Sequence, residues 1–271
     1  MPGALDIALA QLTPAVRDTA KNLGTITRLV EENADADLII FPELFLGGYT
    51  TREPEELALD LDGPEVESLA GAAREHSTAV ILGAPERLIE GISNSAICVD
   101  ERGEIAGSYR KTHLFGDERG VFVAGNELLV LELGGLKAGL MICFDVEFPE
   151  VARSLALAGA DLLVTISANM DPFGRDHDVF ATARALENGL PHLYVNQVGP
   201  GEAFTFAGGS MAVSADGDRL AEAGTSGEAV ARLRLDTAVG NPARPKELKP
   251  DYLRERRGML PVDAPRVPEQ R

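Results

Sequence analysis

Residues 138–150 read AGLMICFDVEFPE, and this stretch is the best starting point for predicting the fold. Ala138 to Cys143 is a short apolar run typical of a buried strand, and Pro149 begins a predicted helix that extends to residue 158. A strand followed at once by a polar turn and a helix holds the residue at the junction at the edge of a sheet. That residue is Cys143, one of only two cysteines in the chain.

Strands and helices alternate on both sides of this stretch. Before it, apolar runs predict strands at 6–10, 38–41, 79–83, 95–99, 105–109 and 130–133, and helical spacing predicts helices at 22–34 and 65–75. After it, we predict strands at 162–166 and 192–196, a helix at 176–188, and a final hairpin of 209–214 with 227–235. The pattern favours an α/β (α+β) fold, with a mixed sheet and helices in one domain over residues 1–271.

The end of the chain differs from this pattern. From about Asn241 the sequence is rich in proline and charge and has little periodicity. We expect residues 241–271 to form a C-terminal tail that is either disordered or laid across a partner subunit.

Composition excludes several function classes. The formal net charge of −18 argues against binding to nucleic acid or to anionic membrane surfaces, because both require clustered Lys and Arg. This net charge is compatible with cationic substrates.

No apolar run approaches the roughly 18–20 residues of a membrane span, and the N-terminus has no signal-peptide pattern. Two cysteines without CxxC or Cys/His spacing indicate neither a disulfide framework nor a zinc site. We therefore expect a cytoplasmic protein.

Glu43 is the first of three candidate catalytic residues that each follow a predicted strand. It comes after an apolar run and Pro42, which cannot donate to a sheet ladder, and Phe45, Leu46 and Tyr49 follow it. Desolvation among apolar side chains raises the pKa of a carboxyl group and suits it to proton transfer near neutral pH. A helix-capping acid is the alternative.

Lys111 and Cys143 are the other two candidates. A lysine at a strand end can stabilise a developing negative charge, although most lysines are simply solvated. Cys143 must become a thiolate to act as a nucleophile, and an ordinary cysteine has a pKa of about 8.5. The predicted helix at Pro149 begins too late to activate it, so we expect Glu43 and Lys111 to do so. A buried structural thiol is the alternative, and Cys98 is expected to be one.

Other polar clusters are weaker candidates. Asp176, His177 and Asp178 are adjacent and cannot share one helix face, so we interpret them as a solvated helix start rather than a metal site. His113 is expected to be packed or hydrogen-bonded rather than a base. Residues 208–210 lack the lysine of a phosphate-binding loop, and no GxSxG nucleophile motif occurs.

Three motifs in order resemble the nitrilase superfamily of carbon–nitrogen hydrolases. Residues 41–49 (FPELFLGGY) resemble its glutamate motif, residues 109–115 (YRKTHLF) its lysine motif, and residues 142–150 (ICFDVEFPE) its cysteine motif. The resemblance covers nearly the whole chain. It implies a four-layer α-β-β-α sandwich that pairs with a second subunit into an eight-layer homodimer, with the C-terminal tail along the interface.

The resemblance also implies roles for individual residues. Glu43 would be the general base, Cys143 the nucleophile and Lys111 the stabiliser of the tetrahedral intermediate. Glu118 matches a second family glutamate that helps position the substrate and the lysine. The Phe144 N–H would be an oxyanion donor, although many relatives have Tyr there, and Ala124 stands where Pro is usual. We assign substrate contacts to Tyr49 and Asn169.

The implied activity is hydrolysis of a small aliphatic carboxamide to the carboxylic acid and ammonia through a cysteine thioester, with no metal or other cofactor. Residues 111–118, 167–170 and 183–188 most resemble bacterial small aliphatic amidases, and within those the 5-aminopentanamidase type, which cleaves an ω-amino amide. N-carbamoyl amine hydrolase and nitrilase are alternatives, although Cys-Phe-Asp in place of the Cys-Trp-Glu of true nitrilases favours an amide. A non-catalytic ligand-binding pseudoenzyme and a redox sensor at Cys143 are alternatives from other classes.

Overall fold

Residues 4–236 are described by a computed structural model, in which two six-stranded sheets pack face to face. The strands are β1 Ala4–Gln11, β2 Leu38–Ile40, β3 Ala79–Leu88, β4 Gly91–Val99, β5 Ile105–Arg110, β6 Val130–Leu133, β7 Leu136–Ile142, β8 Leu162–Ser167, β9 His192–Asn196, β10 Val198–Pro200, β11 Thr205–Ala207, β12 Met211–Val213, β13 Arg219–Glu222 and β14 Ala229–Asp236. The helices are α1 Thr19–Glu32, α2 Pro64–His76, α3 Pro149–Leu157 and α4 Gly174–Asn188. Three 3₁₀ turns cover Pro54–Glu56, Gly116–Gly120 and Cys143–Glu147.

The two sheets have matching topologies. The first sheet has the order β14-β1-β2-β3-β4-β5, and β1, β2 and β3 are parallel. The second has the order β13-β12-β9-β8-β7-β6, and β7, β8 and β9 are parallel. In each sheet the parallel strands lie in the middle and antiparallel strands lie outside them. The short pair β10–β11 forms a separate ribbon.

Apolar layers hold the four structural layers together. Between the sheets, strand residues such as Leu9, Ile40 and Val164 form one core cluster. Helices α1 and α2 cover the outer face of the first sheet through a second cluster, and α3 and α4 cover the outer face of the second sheet. Because both faces of the central strands are covered, those strands read as continuous apolar runs. The predicted four-layer α-β-β-α sandwich is confirmed, and the eight-layer dimer stays a prediction.

The predicted final hairpin is wrong in its pairing. Strand β14 does not pair with 209–214 but joins the first sheet beside β1, with Leu233 opposite Ile7. The hairpin is instead β12 with β13, turning at residues 214–218. Leu233 and Leu235 alternate with exposed arginines, so β14 buries one face against the core between the sheets. That alternation predicts a strand but not its partner.

Two further predictions concern the ends of elements. Helix α4 begins at Gly174, two residues before the predicted start. The predicted C-terminal tail, residues 241–271, lies outside the described residues.

Within residues 4–236, no helix is long and apolar enough to cross a membrane.

Candidate active site

The three strand-end candidates come from both sheets. Glu43 follows β2 by three residues, and Lys111 comes directly after β5, so both extend from the first sheet. Cys143 comes directly after β7 in the second sheet. These segments meet at one end of the sandwich, where Lys111 contacts Glu43 and lines the same cavity as Cys143.

Lys111 joins two buried carboxylates. Its Nζ donates to Glu43 Oε1 at 2.7 Å and to Glu118 Oε1 at 2.9 Å, with Glu118 Oε2 at 2.8 Å. The three residues are each 0% exposed. An ammonium group has three N–H donors, so two carboxylate contacts leave one donor for the cavity that Lys111 lines.

One buried cation shared by two buried acids shifts the proton affinities of this group. Burial alone lowers the pKa of Lys111, but the charges of Glu43 and Glu118 outweigh burial and hold that pKa well above its ordinary value. Burial raises the pKa of Glu43, and the attraction of Lys111 only partly opposes that rise. Lys111 therefore stays charged, while Glu43 is a stronger proton acceptor than an exposed glutamate.

The carboxylate of Glu43 is further fixed by groups from neighbouring strands. Its Oε1 accepts a hydrogen bond from Asn94 Nδ2 at 2.7 Å, and its Oε2 accepts one from the Ala168 N–H at 2.7 Å. Gln197 Nε2 donates to its backbone carbonyl at 2.7 Å. These contacts bridge the two sheets. They are not the contacts of a helix-capping acid, which was the alternative for Glu43.

The Cys143 backbone has a left-handed conformation. Its φ is +44°, a region that a residue with a side chain occupies only when the surrounding structure imposes it. The polar turn predicted between strand and helix is a 3₁₀ turn, Cys143–Glu147, that begins at this residue. Burial raises the pKa of the thiol, the negative charge of Glu43 raises it further, and Lys111 opposes both. The resting group is therefore a thiol that needs a base.

Asp145 connects the lysine segment to the cysteine segment. Its Oδ2 accepts hydrogen bonds from Tyr109 Oη at 2.8 Å and from the Ile142 N–H at 3.0 Å. Its Oδ1 accepts from Thr112 Oγ1 at 2.8 Å and from the His113 N–H at 3.0 Å. His113 also places Nδ1 2.9 Å from Oδ1, so it is hydrogen-bonded, as expected. Sequence analysis missed Asp145, although it lies two residues after Cys143.

The candidate residues face a cavity of about 200 Å³. Lys111, Cys143, Phe144, Tyr49 and Asn169 all line it, so the structure brings these predicted residues together. Tyr49 Oη donates to Glu118 Oε1 at 2.9 Å, which holds Glu118 behind the cavity wall. The wall also contains residues that sequence analysis missed, namely Phe115, Glu147, Ala168, Met170, Phe173, Asp176, His177 and Phe180.

His177 differs from its predicted environment. Asp176 and Asp178 are exposed, as a solvated helix start requires, but His177 is only 2% exposed. Its Nδ1 lies 2.9 Å from Tyr194 Oη, and its Nε2 lies 3.4 Å from Glu147 Oε1. The packing of α4 against the 3₁₀ turn buries it. Within residues 4–236, no group of three or more His, Cys, Asp or Glu side chains is arranged to hold a metal ion.

Cys98, the other cysteine, lies in the core between the sheets. It is 0% exposed, and burial raises the pKa of its thiol. A buried thiol of this kind is unreactive, which agrees with the structural role expected for Cys98.

Gly83 gives the Glu43 segment room to lie against β3, which yields a first prediction. A Cβ at this position would lie 2.2 Å from the carbonyl oxygen of Pro42 and 2.6 Å from Glu43 Cα. We expect Gly83→Ala to displace Glu43, to lower the free energy of unfolding by about 1–3 kcal/mol, and to reduce kcat at least tenfold (on the order of one misplaced catalytic group).

Urea unfolding and steady-state kinetics check this prediction. Gly24→Ala is the matched control, because a Cβ at Gly24 in α1 would meet nothing within 4 Å. We expect Gly24→Ala to keep full activity and to gain about 0.5–1 kcal/mol. Equal behaviour of the two variants would refute the role given to Gly83.

Known proteins are similar to this chain in sequence and in fold. The family model for carbon–nitrogen hydrolases matches residues 6–244. A Pseudomonas protegens protein named "Hydrolase in pqqF 5'region" is 42% identical over 223 residues, which cover 80% of this chain and 78% of that protein. An (R)-stereoselective amidase from a Pseudomonas species is 38% identical over 270 residues, which cover 98% of this chain and 97% of that protein.

A solved relative supplies bound small molecules. Variants of the amidase from Nesterenkonia sp. AN1 superpose on this chain with a TM-score of 0.81, each covering 95% of it. One variant, 31% identical, carries the acetamide moiety of fluoroacetamide on its active-site cysteine, and the match covers 95% of that chain. Another, 30% identical, is in complex with butyramide, and the match covers 96% of that chain.

Proposed function

The chain belongs to the carbon–nitrogen hydrolase family, and we propose that it is an amidase that converts small aliphatic carboxamides to carboxylic acids and ammonia. One observation carries this proposal. Cys143 and the Lys111 ammonium line the same cavity. Glu43 does not line it, but its Oε1 accepts a hydrogen bond from Lys111 Nζ at 2.7 Å. A nucleophile, a base and an oxyanion donor are the groups that acyl transfer from an amide requires.

In the first half-reaction, Glu43 accepts the thiol proton as Cys143 Sγ forms a bond to the amide carbon. The carbonyl π electrons move to oxygen, and the Lys111 ammonium and the Phe144 N–H stabilise the resulting oxyanion. The C–N bond then breaks, and the nitrogen takes the proton from Glu43 and leaves as ammonia. The acyl group remains on Cys143 as a thioester.

In the second half-reaction, water replaces ammonia in the cavity. Glu43 accepts a proton from water as the water oxygen bonds to the thioester carbon, and Lys111 stabilises the second oxyanion. Collapse breaks the C–S bond, releases the carboxylic acid and returns a proton to Cys143. The raised pKa of Glu43 suits both directions of proton transfer, because a general base works best when its pKa is near the working pH.

The remaining predicted residues act around this centre. Glu118 holds Lys111 in place, and Tyr49 fixes Glu118 through its hydroxyl. Burial, and next the charge of Glu118, raise the pKa of Tyr49, so its hydroxyl keeps its proton and donates. Asn169 shapes the cavity wall, where its Nδ2 donates to the Phe173 carbonyl at 3.1 Å.

An ω-amino amide is the substrate class that we propose within this activity. The wall of the cavity is mostly aromatic and apolar, but Glu147 and Asp176 add two carboxylates to it. The side chain of Glu147 is 34% exposed, so part of it remains accessible from the cavity. A carboxylate at this position can bind a substrate ammonium group while the amide lies at Cys143.

Ammonia release from a substrate panel tests the function. The panel contains butyramide, 5-aminopentanamide, an N-carbamoyl amine and butyronitrile. We expect both amides to be hydrolysed and the aminoamide to be preferred. Turnover of the nitrile alone, or of the carbamoyl compound alone, would replace the amidase proposal with a nitrilase or a carbamoyl hydrolase, and no turnover would favour the pseudoenzyme.

The charge of Glu147 provides the second prediction. We expect Glu147→Gln to raise KM for 5-aminopentanamide about fivefold, the order of one partly exposed ion pair, and to leave kinetics with butyramide unchanged. Steady-state assays on both substrates check this.

Glu150→Gln is the control, because Glu150 is exposed on α3 and does not line the cavity. A Glu147 variant that affects both amides equally would argue against recognition of a cation.

Three broader expectations stay predictions. They are a single domain over residues 1–271, a cytoplasmic location, and a homodimer with residues 241–271 at its interface. Light scattering on the full chain and on a form ending at residue 240 tests the last, since we expect truncation to weaken the dimer.

A further inference from the structure

The end of β8 places a hydroxyl group beside the nucleophile. Ser167 is the last residue of this strand and is 0% exposed. Strands β7 and β8 are parallel with Ile142 opposite Ile166, so Ser167 lies beside Cys143 at the same end of the sheet. Hydrogen bonding from Ser167 lowers the pKa of the Cys143 thiol, against the larger rise that burial causes. Ser167 belongs neither to the catalytic triad of Glu43, Lys111 and Cys143 nor to the substrate contacts proposed above.

The direction of the hydrogen bonds around Ser167 is determined by its neighbours. Tyr194 Oη donates to Ser167 Oγ at 3.1 Å, and the Asn169 N–H donates to the same oxygen at 3.2 Å. A serine oxygen has two lone pairs and one hydrogen. With both lone pairs occupied, Ser167 can only donate its hydrogen, and Cys143 Sγ is the acceptor beside it.

A second pair of contacts keeps Tyr194 in the donating orientation. Burial raises the pKa of Tyr194, so its hydroxyl keeps its single proton, which is directed to Ser167. His177 Nδ1, 2.9 Å from Tyr194 Oη, must then be the donor in that contact. The chain of donors therefore runs from His177 through Tyr194 and Ser167 to Cys143.

We propose that Ser167 is a further catalytic residue, whose hydroxyl donates a hydrogen bond to Cys143 Sγ and stabilises the thiolate, and that Tyr194 and His177 are positioning residues acting through it. This inference rests on the proposed role of Cys143 as nucleophile. It assigns a function to His177 and Tyr194, two buried polar residues that the triad leaves unexplained.

The site needs such a donor because its charges disfavour a thiolate. Burial and the negative charge of Glu43 both oppose ionisation of Cys143, and two carboxylates share the nearby Lys111 ammonium. The nearby Ala168 N–H is already engaged with Glu43 Oε2 at 2.7 Å. A hydrogen bond to the charged form of a group favours that form, so the Ser167 hydroxyl stabilises sulfur both when Glu43 removes its proton and when the thioester breaks.

The pH dependence of thiol alkylation by iodoacetamide tests the proposal. In Ser167→Ala we expect the midpoint of the alkylation rate to rise by about 1 pH unit and the rate at pH 7 to fall about tenfold, since a charge-assisted hydrogen bond is lost. We expect kcat for butyramide to fall by a similar factor with little change in KM. Tyr194→Phe should shift the midpoint in the same direction by a smaller amount. This variant provides the test if Ser167→Ala fails to fold.

Thr165→Val is the matched control. Thr165 lies on the same strand and is also buried. Its Oγ1 forms a hydrogen bond with His192 Nε2 at 2.8 Å and not with the cysteine. We expect this variant to keep the wild-type midpoint. Wild-type midpoints in both Ser167→Ala and Tyr194→Phe would overturn the proposal. Because alkylation needs no amide substrate, that outcome is distinct from a failure of amide hydrolysis in the wild type.

Discussion

Replacing Cys143 with alanine is expected to reduce kcat/KM for amide hydrolysis on the order of 10⁶-fold, the scale seen when a nucleophile is removed from a group that acts as a unit. The physical reason is that no thioester can form, and direct attack by water must overcome the full barrier of amide hydrolysis. Ammonia release from butyramide at saturating concentration, followed over hours, is the measurement. Circular dichroism and urea unfolding establish that the variant is folded.

Cys98→Ala is the control for this variant. Cys98 is fully buried in the core between the sheets and lines no part of the cavity. We expect it to cost some stability but to retain the wild-type kcat. Ammonia release by Cys143→Ala at even a hundredth of the wild-type rate would be incompatible with covalent catalysis at this residue.

Lys111→Met is expected to have the second-largest effect, on activity and stability together. Loss of one oxyanion donor costs about 10²–10³-fold in rate, and the displaced Glu43 adds to this loss. The variant also leaves Glu43 and Glu118 buried without their shared cation, and removing one partner of a buried ion pair costs about 3–5 kcal/mol. Urea unfolding and butyramide kinetics measure the two effects separately.

The stability loss in Lys111→Met should depend on pH. Burial already raises the pKa of Glu43, and without the opposing charge of Lys111 this folded-state pKa rises further above the unfolded value, so the folded protein binds more protons than the unfolded chain. The penalty therefore grows as pH rises above about 4.5 and shrinks as pH falls toward that value. We expect the variant to be closer to wild-type stability near pH 5 than at pH 8.

Two further variants separate charge from packing. Adding Glu118→Gln to Lys111→Met removes one unpaired carboxylate, so we expect it to restore part of the stability and none of the activity. Lys137→Met is the control, since Lys137 is exposed on β7 and should change stability by less than about 0.5 kcal/mol. A Lys111→Met protein as stable as this control at pH 8 would contradict the buried network.

The sequence was informative where the chemistry is local. The strands before Glu43 and Cys143 are largely apolar runs because helices and the opposite sheet cover both faces, whereas the strand before Lys111 is a half-exposed edge strand. The point where the run stops therefore indicates a side chain at the edge of the sheet. The four layers also follow from the motif resemblance together with the alternation of strands and helices.

Information that depends on long-range packing was not readable. The pairing of β14 with β1 joins residues more than 200 positions apart, and alternation in β14 fits any edge. The cavity residues Glu147 and His177 meet because α4 packs against the 3₁₀ turn, and a short polar sequence does not specify that contact. Asp145 was visible only as an acid near Cys143, because its partners at Tyr109 and Thr112 belong to the other sheet.

Partitioning with hydroxylamine tests most directly whether every amide passes through one acyl thioester on Cys143. Butyramide and methyl butyrate carry the same acyl group on different leaving groups. With hydroxylamine competing against water, we expect a common thioester to give the same ratio of butyrohydroxamic acid to butyric acid from both substrates, and Cys143→Ala to give no hydroxamate. A ratio that changes with the leaving group would contradict a common acyl-enzyme.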